Sequence, residues 1–315
     1  MIPVAFASIG ECMLELSGRD ADLWRMGFAG DTFNAAYYAR AVLPPQRSVA
    51  YVTASGDDPL SRRMTGFIGE CGVLTDRIRT VPGRRPGLYA ITLDGAERTF
   101  TYWRGESAAR LLADDAVWLD QALGAAEMLY VSGITLAILR RDARDRLLEA
   151  LGARRAAGAR IAFDPNFRPA LWPDRGEAKA AMQAAYRICD LVLPTFDDEA
   201  ALFGDVSVEA TAERIGAFGV GEIVVKNGDA PCLVVTPQIR MVVPAVKPEH
   251  VVDTTGAGDS FCGAYLAGRL MGMQPEYAAR LGHEVAAQVI GVRGALAAIE
   301  RESILEPVLK LSPSS

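Results

Sequence analysis

The feature that most constrains the fold is a regular alternation of short apolar segments with helix-like segments along the chain. The predicted strands cover residues 4–9, 49–54, 128–131, 160–163, 191–193, 222–226 and 231–235, and the predicted helices cover 30–42, 62–69, 140–158, 177–188, 197–203, 210–218, 260–271 and 275–292. Such an alternation predicts an α/β fold with a mostly parallel sheet covered by helices on both faces. Ligands of these sheets bind beyond the carboxyl ends of the strands, so the loops after Phe163, Leu193 and Lys226 are the expected sites of chemistry.

The pattern changes near Pro86, where a hairpin interrupts the alternation. Residues 88–93 and 98–103 flank the dipeptide Asp94-Gly95, which is typical of two-residue hairpin turns. We therefore predict a β-hairpin that forms a small sheet beside the main domain.

Composition and charge exclude several classes of protein. A chain of 315 residues can form one large domain, or a domain with a small appendage. The formal net charge of −6 and the lack of long Lys/Arg runs argue against a nucleic-acid-binding face. Five scattered cysteines without a C-x-x-C pair predict neither a zinc site nor a disulfide framework. The first residues lack a basic region and no apolar run approaches about 18 residues, so we expect a cytoplasmic protein without signal peptide or membrane span.

The segment 253–261, Asp-Thr-Thr-Gly-Ala-Gly-Asp-Ser-Phe, carries the strongest chemical signal. Gly256 and Gly258 would let a ligand approach the backbone, and the first amides of the following helix form a ready anion site. A bare carboxylate at Asp259 would repel a phosphate there, but it suits a general base that takes a proton from an attacking hydroxyl. Together these residues predict phosphoryl transfer to an alcohol. The segment is neither a Walker A loop nor a dinucleotide fingerprint, since it lacks Gly-Lys-Ser/Thr and a third glycine.

A second polar segment opens the first predicted helix. Asp31 and Asn34 could hydrogen-bond sugar hydroxyls, and Gly30 would let the sugar come close. A capped helix start without any ligand explains the same residues.

Aromatic and basic side chains lie on both arms of the predicted hairpin. Tyr89, Tyr102 and Arg104 could face one ligand if the hairpin acts as a lid, and a guanidinium group suits a carboxylate. Packing of the aromatic rings within the hairpin is the alternative.

Three further loops follow predicted strands. Asn166 and Arg168 project from a proline-flanked loop, where Arg168 could bind a substrate carboxylate or the phosphate in transfer, or simply be solvated. The acidic run 197–199 could help to hold Mg²⁺ through water, although acids also favour any first helical turn. Lys226 and Gly228 could touch nucleotide phosphates or ribose, or form an ordinary β-turn.

With these motifs the chain resembles the ribokinase-like (PfkB) family of sugar kinases over nearly its whole length. Within that family it looks most like the 2-keto-3-deoxygluconate kinases. The strings that carry this similarity include Gly-Glu-Cys-Met at 10–13, Gly-Asp-Thr-Phe-Asn at 30–34, Arg-Pro-Gly-Leu-Tyr at 85–89 and Asn-Phe-Arg-Pro at 166–169. The chain departs from the family pattern at Ala29, where a Gly-Gly pair is usual, and at Phe196, where an Asn is usual.

The resemblance implies a ribokinase-like three-layer α/β/α fold with a mostly parallel sheet. Residues 1–315 would form a single domain, with a small β-lid built from segments near 11–28 and 86–104. The lid would serve self-association into a homo-oligomer.

The resemblance also implies a reaction and the residues that carry it. The enzyme would use ATP and Mg²⁺ to phosphorylate the terminal (6-) hydroxyl of 2-keto-3-deoxy-D-gluconate, with a monovalent cation left open. The implied sugar-acid ligands are Gly30, Asp31, Asn34, Tyr89, Tyr102, Arg104, Arg168 and Asp259. The implied ATP ligands are Asn166, Arg168, Lys226, Gly228, Asp229, Gly256, Ala257 and Gly258. Asp259 would be the base, the amides of 256–259 the anion hole, Arg168 a charge neutraliser and Glu199 a metal ligand through water.

Other functions stay open at the level of sequence. A kinase for a neutral sugar such as fructose or ribose would use the same chemistry with a different pocket. A catalytically silent nucleotide or sugar sensor on the same fold is a second alternative, against which Asp259 argues. A dinucleotide-dependent dehydrogenase is disfavoured because no G-x-G-x-x-G follows the first strand.

Overall fold

The computed structural model describes residues 2–20, 23–94 and 97–310. In chain order its strands are β1 (Val4–Ile9), β2 (Met13–Asp20), β3 (Leu23–Ala29), β4 (Val49–Ser55), β5 (Ile78–Thr80), β6 (Leu88–Asp94), β7 (Glu97–Trp103), β8 (Ala126–Ser132), β9 (Arg160–Asp164), β10 (Leu191–Val192), β11 (Glu222–Val225), β12 (Cys232–Val235) and β13 (Arg240–Val243). The α-helices are α1 (Asp31–Val42), α2 (Pro59–Glu70), α3 (Ala116–Leu123), α4 (Gly133–Ile138), α5 (Arg141–Ala156), α6 (Arg175–Tyr186), α7 (Phe196–Phe203), α8 (Val208–Gly216), α9 (Ala257–Leu270), α10 (Pro275–Val289) and α11 (Arg301–Leu309). None of these helices is long and apolar enough to cross a membrane.

The large sheet has the strand order β13-β12-β11-β10-β9-β8-β1-β4-β5. Its strands from β11 to β5 pair in parallel, while β12 and β13 add an antiparallel edge. The predicted mostly parallel sheet is therefore confirmed. Alternate residues of β1 enter two different cores, with Phe6 packed on one side of the sheet and Ala7 and Ile9 on the other. Helices cover both faces of the sheet, so both sides of each central strand are buried and its residues form a continuous apolar run.

A separate small sheet has the order β3-β2-β6-β7. The predicted hairpin is present as the antiparallel pair β6–β7, although its turn residues 95 and 96 lie outside the described residues. The strands β2 and β3, which the hydrophobic pattern did not predict, pair antiparallel with each other, and β2 pairs in parallel with β6. The small sheet thus unites two segments that leave the large sheet after β1 and after β5.

Several boundaries differ from the prediction for local reasons. Helix α9 begins at Ala257, before the predicted start, because Gly256 is its N-cap residue and accepts the Ser260 N–H at 2.8 Å. Helix α10 ends at Val289, and the chain then turns through residues 290–294 beside the start of α9. This turn donates the backbone N–H of Gly294 to Asp253 at 2.7 Å, which ties the two segments together.

Candidate active site

The predicted anion loop is a backbone structure that only glycine permits. Gly256 has a φ of 78°, and a Cβ atom there would lie 2.8 Å from the carbonyl oxygen of Ala295. The Ala257 N–H donates to Thr254 O at 3.2 Å, whereas the N–H groups of Gly258 and Asp259 have no acceptor within the described residues. These two backbone N–H groups at a helix N-terminus are therefore available to a negatively charged ligand.

Asp259 lies in the first turn of α9, where Asn34 fixes it from another helix. The Asn34 side-chain amide donates to the Asp259 carboxylate at 2.8 Å, and its own oxygen accepts the Gly30 N–H at 3.3 Å. Loss of water and the nearby Asp31 raise the pKa of Asp259 to about 7, against the lowering effect of Asn34. A carboxylate with such a pKa can accept a proton near neutral pH.

Gly30 lies where the chain leaves the small sheet and enters α1. A Cβ atom at this position would lie 2.1 Å from the Glu11 carbonyl oxygen, so the close approach of the two segments requires glycine. Asp31, the first residue of α1, accepts a hydrogen bond from the Asn166 side chain at 3.1 Å. The structure therefore brings the predicted residues of α1 to the start of α9 and to the loop after β9.

A buried ion pair lies beside the anion loop. The Lys226 ammonium donates to Asp164 at 2.6 Å and to the Cys262 sulfur at 3.3 Å. Burial opposes the charge on Lys226, but Asp164 outweighs it and raises the pKa of the lysine. A Cβ atom on Gly258 would lie 3.6 Å from this ammonium, so a fixed positive charge adjoins the backbone donors. Sequence reasoning assigned no role to Asp164, although it is the first residue of the motif at 164–169.

Asn166 and Arg168 leave the same loop in different directions. Asn166 is buried in the left-handed region with a φ of 38°, and its N–H donates to Asp164 at 3.2 Å. The Arg168 guanidinium lies at the surface, where it donates to Asp198 on α7 at 3.3 Å and to the Phe167 carbonyl oxygen. Arg168 is therefore held at the rim of the site by an acid that the prediction did not single out.

Glu199 does not fit its predicted metal role. Its side chain is completely buried, both oxygens accept from the Tyr186 hydroxyl at 3.1 Å, and one also accepts from Arg214. Burial raises the pKa of Glu199 to about 7, against the pull of Arg214. A carboxylate enclosed in this way has no access to a hydrated Mg²⁺. Its hydrogen bonds instead hold α7 against α6 and α8. Within the described residues no group of three or more His, Cys, Asp or Glu side chains could hold a metal.

Two of the predicted nucleotide ligands occupy an exposed turn after β11. Gly228 has a φ of 60° with open space around its Cβ direction, and Asp229 is exposed. The turn is closed by the Ala230 N–H, which donates to Asn227 O at 2.9 Å. This turn directly follows Lys226 in the chain, and within the described part of the protein no side-chain hydrogen bond joins it to the other site residues.

The small sheet supplies the remaining predicted residues. Tyr89 is buried and donates its hydroxyl to Glu15, while Arg104 forms an ion pair with Glu11. Tyr102 is exposed, with its ring centroid 5.8 Å from that of Tyr89. The sequence alone indicates no partners for Glu11 and Glu15, and only the register of the small sheet reveals them.

One contact places the small sheet over the start of α9. Tyr89 packs in a cluster with Met13, Ala29, Ile91 and Ala295, and Ala295 is the residue against which Gly256 lies. The face of the small sheet that carries Tyr89 is therefore turned toward the anion loop.

The chain is similar to known proteins over most of its length. Residues 5–302 match the sequence pattern described as the pfkB family of carbohydrate kinases. The chain belongs to this family. A curated relative from Dickeya dadantii, named 2-dehydro-3-deoxygluconokinase, is 44% identical over 301 residues, which cover 93% of this chain and 97% of the relative.

Solved structures of other kinases share the fold. A 2-dehydro-3-deoxygluconokinase from Thermotoga maritima superimposes with a TM-score of 0.83 at 22% identity, covering 97% of this chain and 99% of the other. A putative ribokinase II from E. coli, in complex with ATP and Mg²⁺, superimposes with a TM-score of 0.84 at 22% identity, covering 97% and 100%. The expected ribokinase-like α/β fold is thereby confirmed.

Proposed function

We propose that this family member transfers the γ-phosphoryl group of ATP to the terminal (6-) hydroxyl of 2-keto-3-deoxy-D-gluconate, also called 2-dehydro-3-deoxygluconate. One observation carries the reaction type: Asp259, with a raised pKa, lies in the same helical turn as backbone donors that have no acceptor among the described residues. The name of the Dickeya relative supports the choice of substrate.

Asp259 acts as the general base in this proposal. It takes the proton of the substrate's terminal hydroxyl as the oxygen attacks phosphorus, and the Asn34 amide holds the carboxylate in place at 2.8 Å. The raised pKa makes this carboxylate a stronger base than an ordinary aspartate, so it can accept the proton.

The start of α9 stabilises the charge that develops on the phosphoryl oxygens. The N–H groups of Gly258 and Asp259, and the Ala257 amide after a small shift, form the anion hole, with Lys226 beside them. Arg168, now at the rim with Asp198, would turn inward to neutralise charge. Bound ATP would supply the phosphoryl group, and the residues at this helix start fit its phosphates because the N–H groups of Gly258 and Asp259 have no acceptor among the described residues.

Magnesium would reach the site with the nucleotide. Hard oxygen ligands suit this ion, which keeps several waters and is commonly bound by one or two carboxylates and substrate phosphates. Asp198 is the acid of α7 that faces the loop after β9, and it lies within the field of Asp164 and Lys226. We propose Asp198, in place of Glu199, as the α7 carboxylate nearest to the metal.

The small sheet recognises the sugar acid and covers it. Tyr89, Tyr102 and Arg104 lie on or beside its β6–β7 hairpin, and Gly30, Asp31 and Asn34 lie below it at the start of α1. Closure of this sheet over the sugar would exclude water and limit hydrolysis of ATP.

The outer face of the small sheet serves self-association in this proposal. Trp24 and Trp103 are 44% and 59% exposed, and strand alternation places both on the face opposite Tyr89. Exposed aromatic groups of this size favour a contact with a second copy. Light scattering at several concentrations tests it, and a single monomer mass throughout would contradict it.

The first experiment is a coupled assay of ADP release with Mg·ATP. It compares 2-keto-3-deoxygluconate with fructose, with ribose and with no sugar. We expect turnover only with the keto-deoxy acid. Turnover only with a neutral sugar would keep the kinase and discard the carboxylate site, and no turnover with any sugar would favour a sensor.

A neutral-sugar kinase is the second candidate, and one observation favours it. Glu11 already pairs with Arg104, so the positive charge of Arg104 is neutralised before a substrate carboxylate binds. Arg104→Ala separates the two: an effect on the keto-deoxy acid alone supports the acid, and an equal loss with neutral sugars supports the alternative.

A further inference from the structure

The Glu11–Arg104 ion pair lies where the chain passes between the two sheets. Glu11 falls in the short link between β1 of the large sheet and β2 of the small sheet. Arg104 directly follows β7, where the chain returns from the small sheet. The two side chains are 1% and 10% exposed, so the pair is buried at the joint.

This pair is incompletely satisfied. Glu11 accepts from the terminal nitrogen Nη2 of Arg104. The second Glu11 oxygen, Oε1, and the Arg104 Nε are buried and have no partner in the part of the chain that the structure describes. Buried charged groups normally fill most of their hydrogen-bonding positions, so the Arg104 Nε beside the candidate site is a donor that a ligand could use.

The joint adjoins the sugar side of the site. The Glu11 carbonyl oxygen lies against Gly30, and burial raises the pKa of Asp31, a rise that the nearby charge of Arg104 partly opposes. At Gly87 a Cβ atom would lie 2.7 Å from Glu11 Oε1 and 3.2 Å from the Arg104 Cβ. The absence of a side chain at Gly87 therefore makes room for the pair.

We infer that Glu11 is the positioning residue for Arg104. Glu11 binds one terminal guanidinium nitrogen, so that the unpaired Nε of Arg104 faces the carboxylate of a sugar acid. This inference rests on the proposed function and assigns Glu11 a part in the selection of acidic over neutral substrates. Arg104 has many rotamers, and a fixed carboxylate removes that freedom before the sugar binds. Glu11 itself does not act on the reacting atoms.

The test is a double-variant cycle on the full-length protein, using E11Q, R104M and E11Q/R104M. We expect E11Q to raise the KM for 2-keto-3-deoxygluconate about 10-fold or more, with kcat within about threefold and the KM for ATP unchanged. Because Glu11 acts through Arg104, the double variant should have the same KM as R104M, within about twofold. The double variant also removes both charges, which avoids an unpaired buried arginine if E11Q folds poorly.

Two further measurements separate positioning from general stability. The rise in melting temperature caused by the sugar acid alone, without ATP, should be lost in E11Q. Glu11→Asp keeps the charge but shortens the side chain, so it should fold and still raise the KM. Glu106→Gln is the matched control, because Glu106 pairs with Arg84 at the exposed surface two residues beyond Arg104 and should leave all parameters unchanged.

The outcomes distinguish this inference from the proposed function. If the wild-type protein neither binds nor phosphorylates the sugar acid, the proposed function fails. If the wild type is active and E11Q keeps a KM within about twofold of it, or if the effects of E11Q and R104M multiply in the double variant, the role of Glu11 is wrong.

Discussion

The two sides of the candidate site are built by different means. At the start of α9 the groups that meet an anion are backbone N–H donors, and a left-handed Gly256 sets their position. On the small sheet the groups are side chains held in pairs, Arg104 by Glu11 and Tyr89 by Glu15. Backbone donors bind the phosphates of any nucleotide in the same way. Paired side chains, in contrast, can be substituted one at a time, which would change the sugar that the site selects. Under the proposed function, this difference would make chemistry and selectivity separable in this protein.

The strongest test of that separation is Asp259→Asn. We expect the variant to fold and bind ATP but to lose turnover by about 10³-fold or more, because the asparagine cannot take the hydroxyl proton. Steady-state kinetics measure the loss, and the rise in melting temperature with Mg·ATP checks nucleotide binding. Turnover close to the wild-type value would refute the base assignment.

A substitution of Gly256 should damage the nucleotide side alone. Gly256→Ala forces a side chain into the left-handed region and toward Ala295, so we expect kcat/KM to fall by about 10- to 100-fold. The control is Gly204→Ala at the end of α7, where φ is 87° and open space surrounds the Cβ direction. Gly204→Ala should lose about 1 kcal/mol of unfolding free energy. Gly256→Ala should lose more, because its Cβ also meets the Ala295 carbonyl oxygen, and it alone should lose activity. Equal kinetics in the two variants would break the comparison.

The pH profile of kcat should have an acidic limb near pH 7. Asp259 must be deprotonated to act as a base, and its raised pKa means that turnover falls as the pH drops through about 7. Asp31→Asn removes a negative charge that contributes to this raised pKa, so the limb should move to lower pH. The measurement is kcat at saturating substrates from pH 5 to 9, and an unmoved limb would show that another group titrates.

The smallest effect on activity is expected from Glu199→Gln. The variant weakens the buried pair with Arg214, so the free energy of unfolding should fall by about 2 kcal/mol in urea titrations. Turnover and the Mg²⁺ requirement should stay within about twofold of wild type. Asp198→Asn on the same helix should show the reverse, a stability near wild type with reduced turnover and weaker Mg²⁺ activation. A large rise in the Mg²⁺ requirement of Glu199→Gln would restore its metal role.

The large sheet and the nucleotide side could be predicted from sequence because their signals are local. The apolar runs of β1 and β4, and the glycines at 256 and 258, each carry their meaning within a few residues. The predicted helix 197–203 and strand 231–235 also lie within about a residue or two of the observed α7 and β12.

The small sheet and its partners were harder to predict for a physical reason. Strands β2 and β3 are mixed in polarity, and the second partner of β2 is β6, which lies far along the chain. The bonds of Glu11, Glu15 and Glu199 depend on which segments the fold brings beside them, and no local pattern distinguishes a buried glutamate from a solvated one. Only the register of the sheet and the packing of α6, α7 and α8 identify those contacts.

The parallel pairing of β2 with β6 also fixes an order of events during folding. It joins residues 14–17 to residues 88–91 across the whole of α1, β4 and α2. Closing so long a loop costs conformational entropy until the large sheet has brought its ends together, so the small sheet is expected to assemble late. A refolding chain would then acquire the ability to bind nucleotide before it can tell one sugar from another.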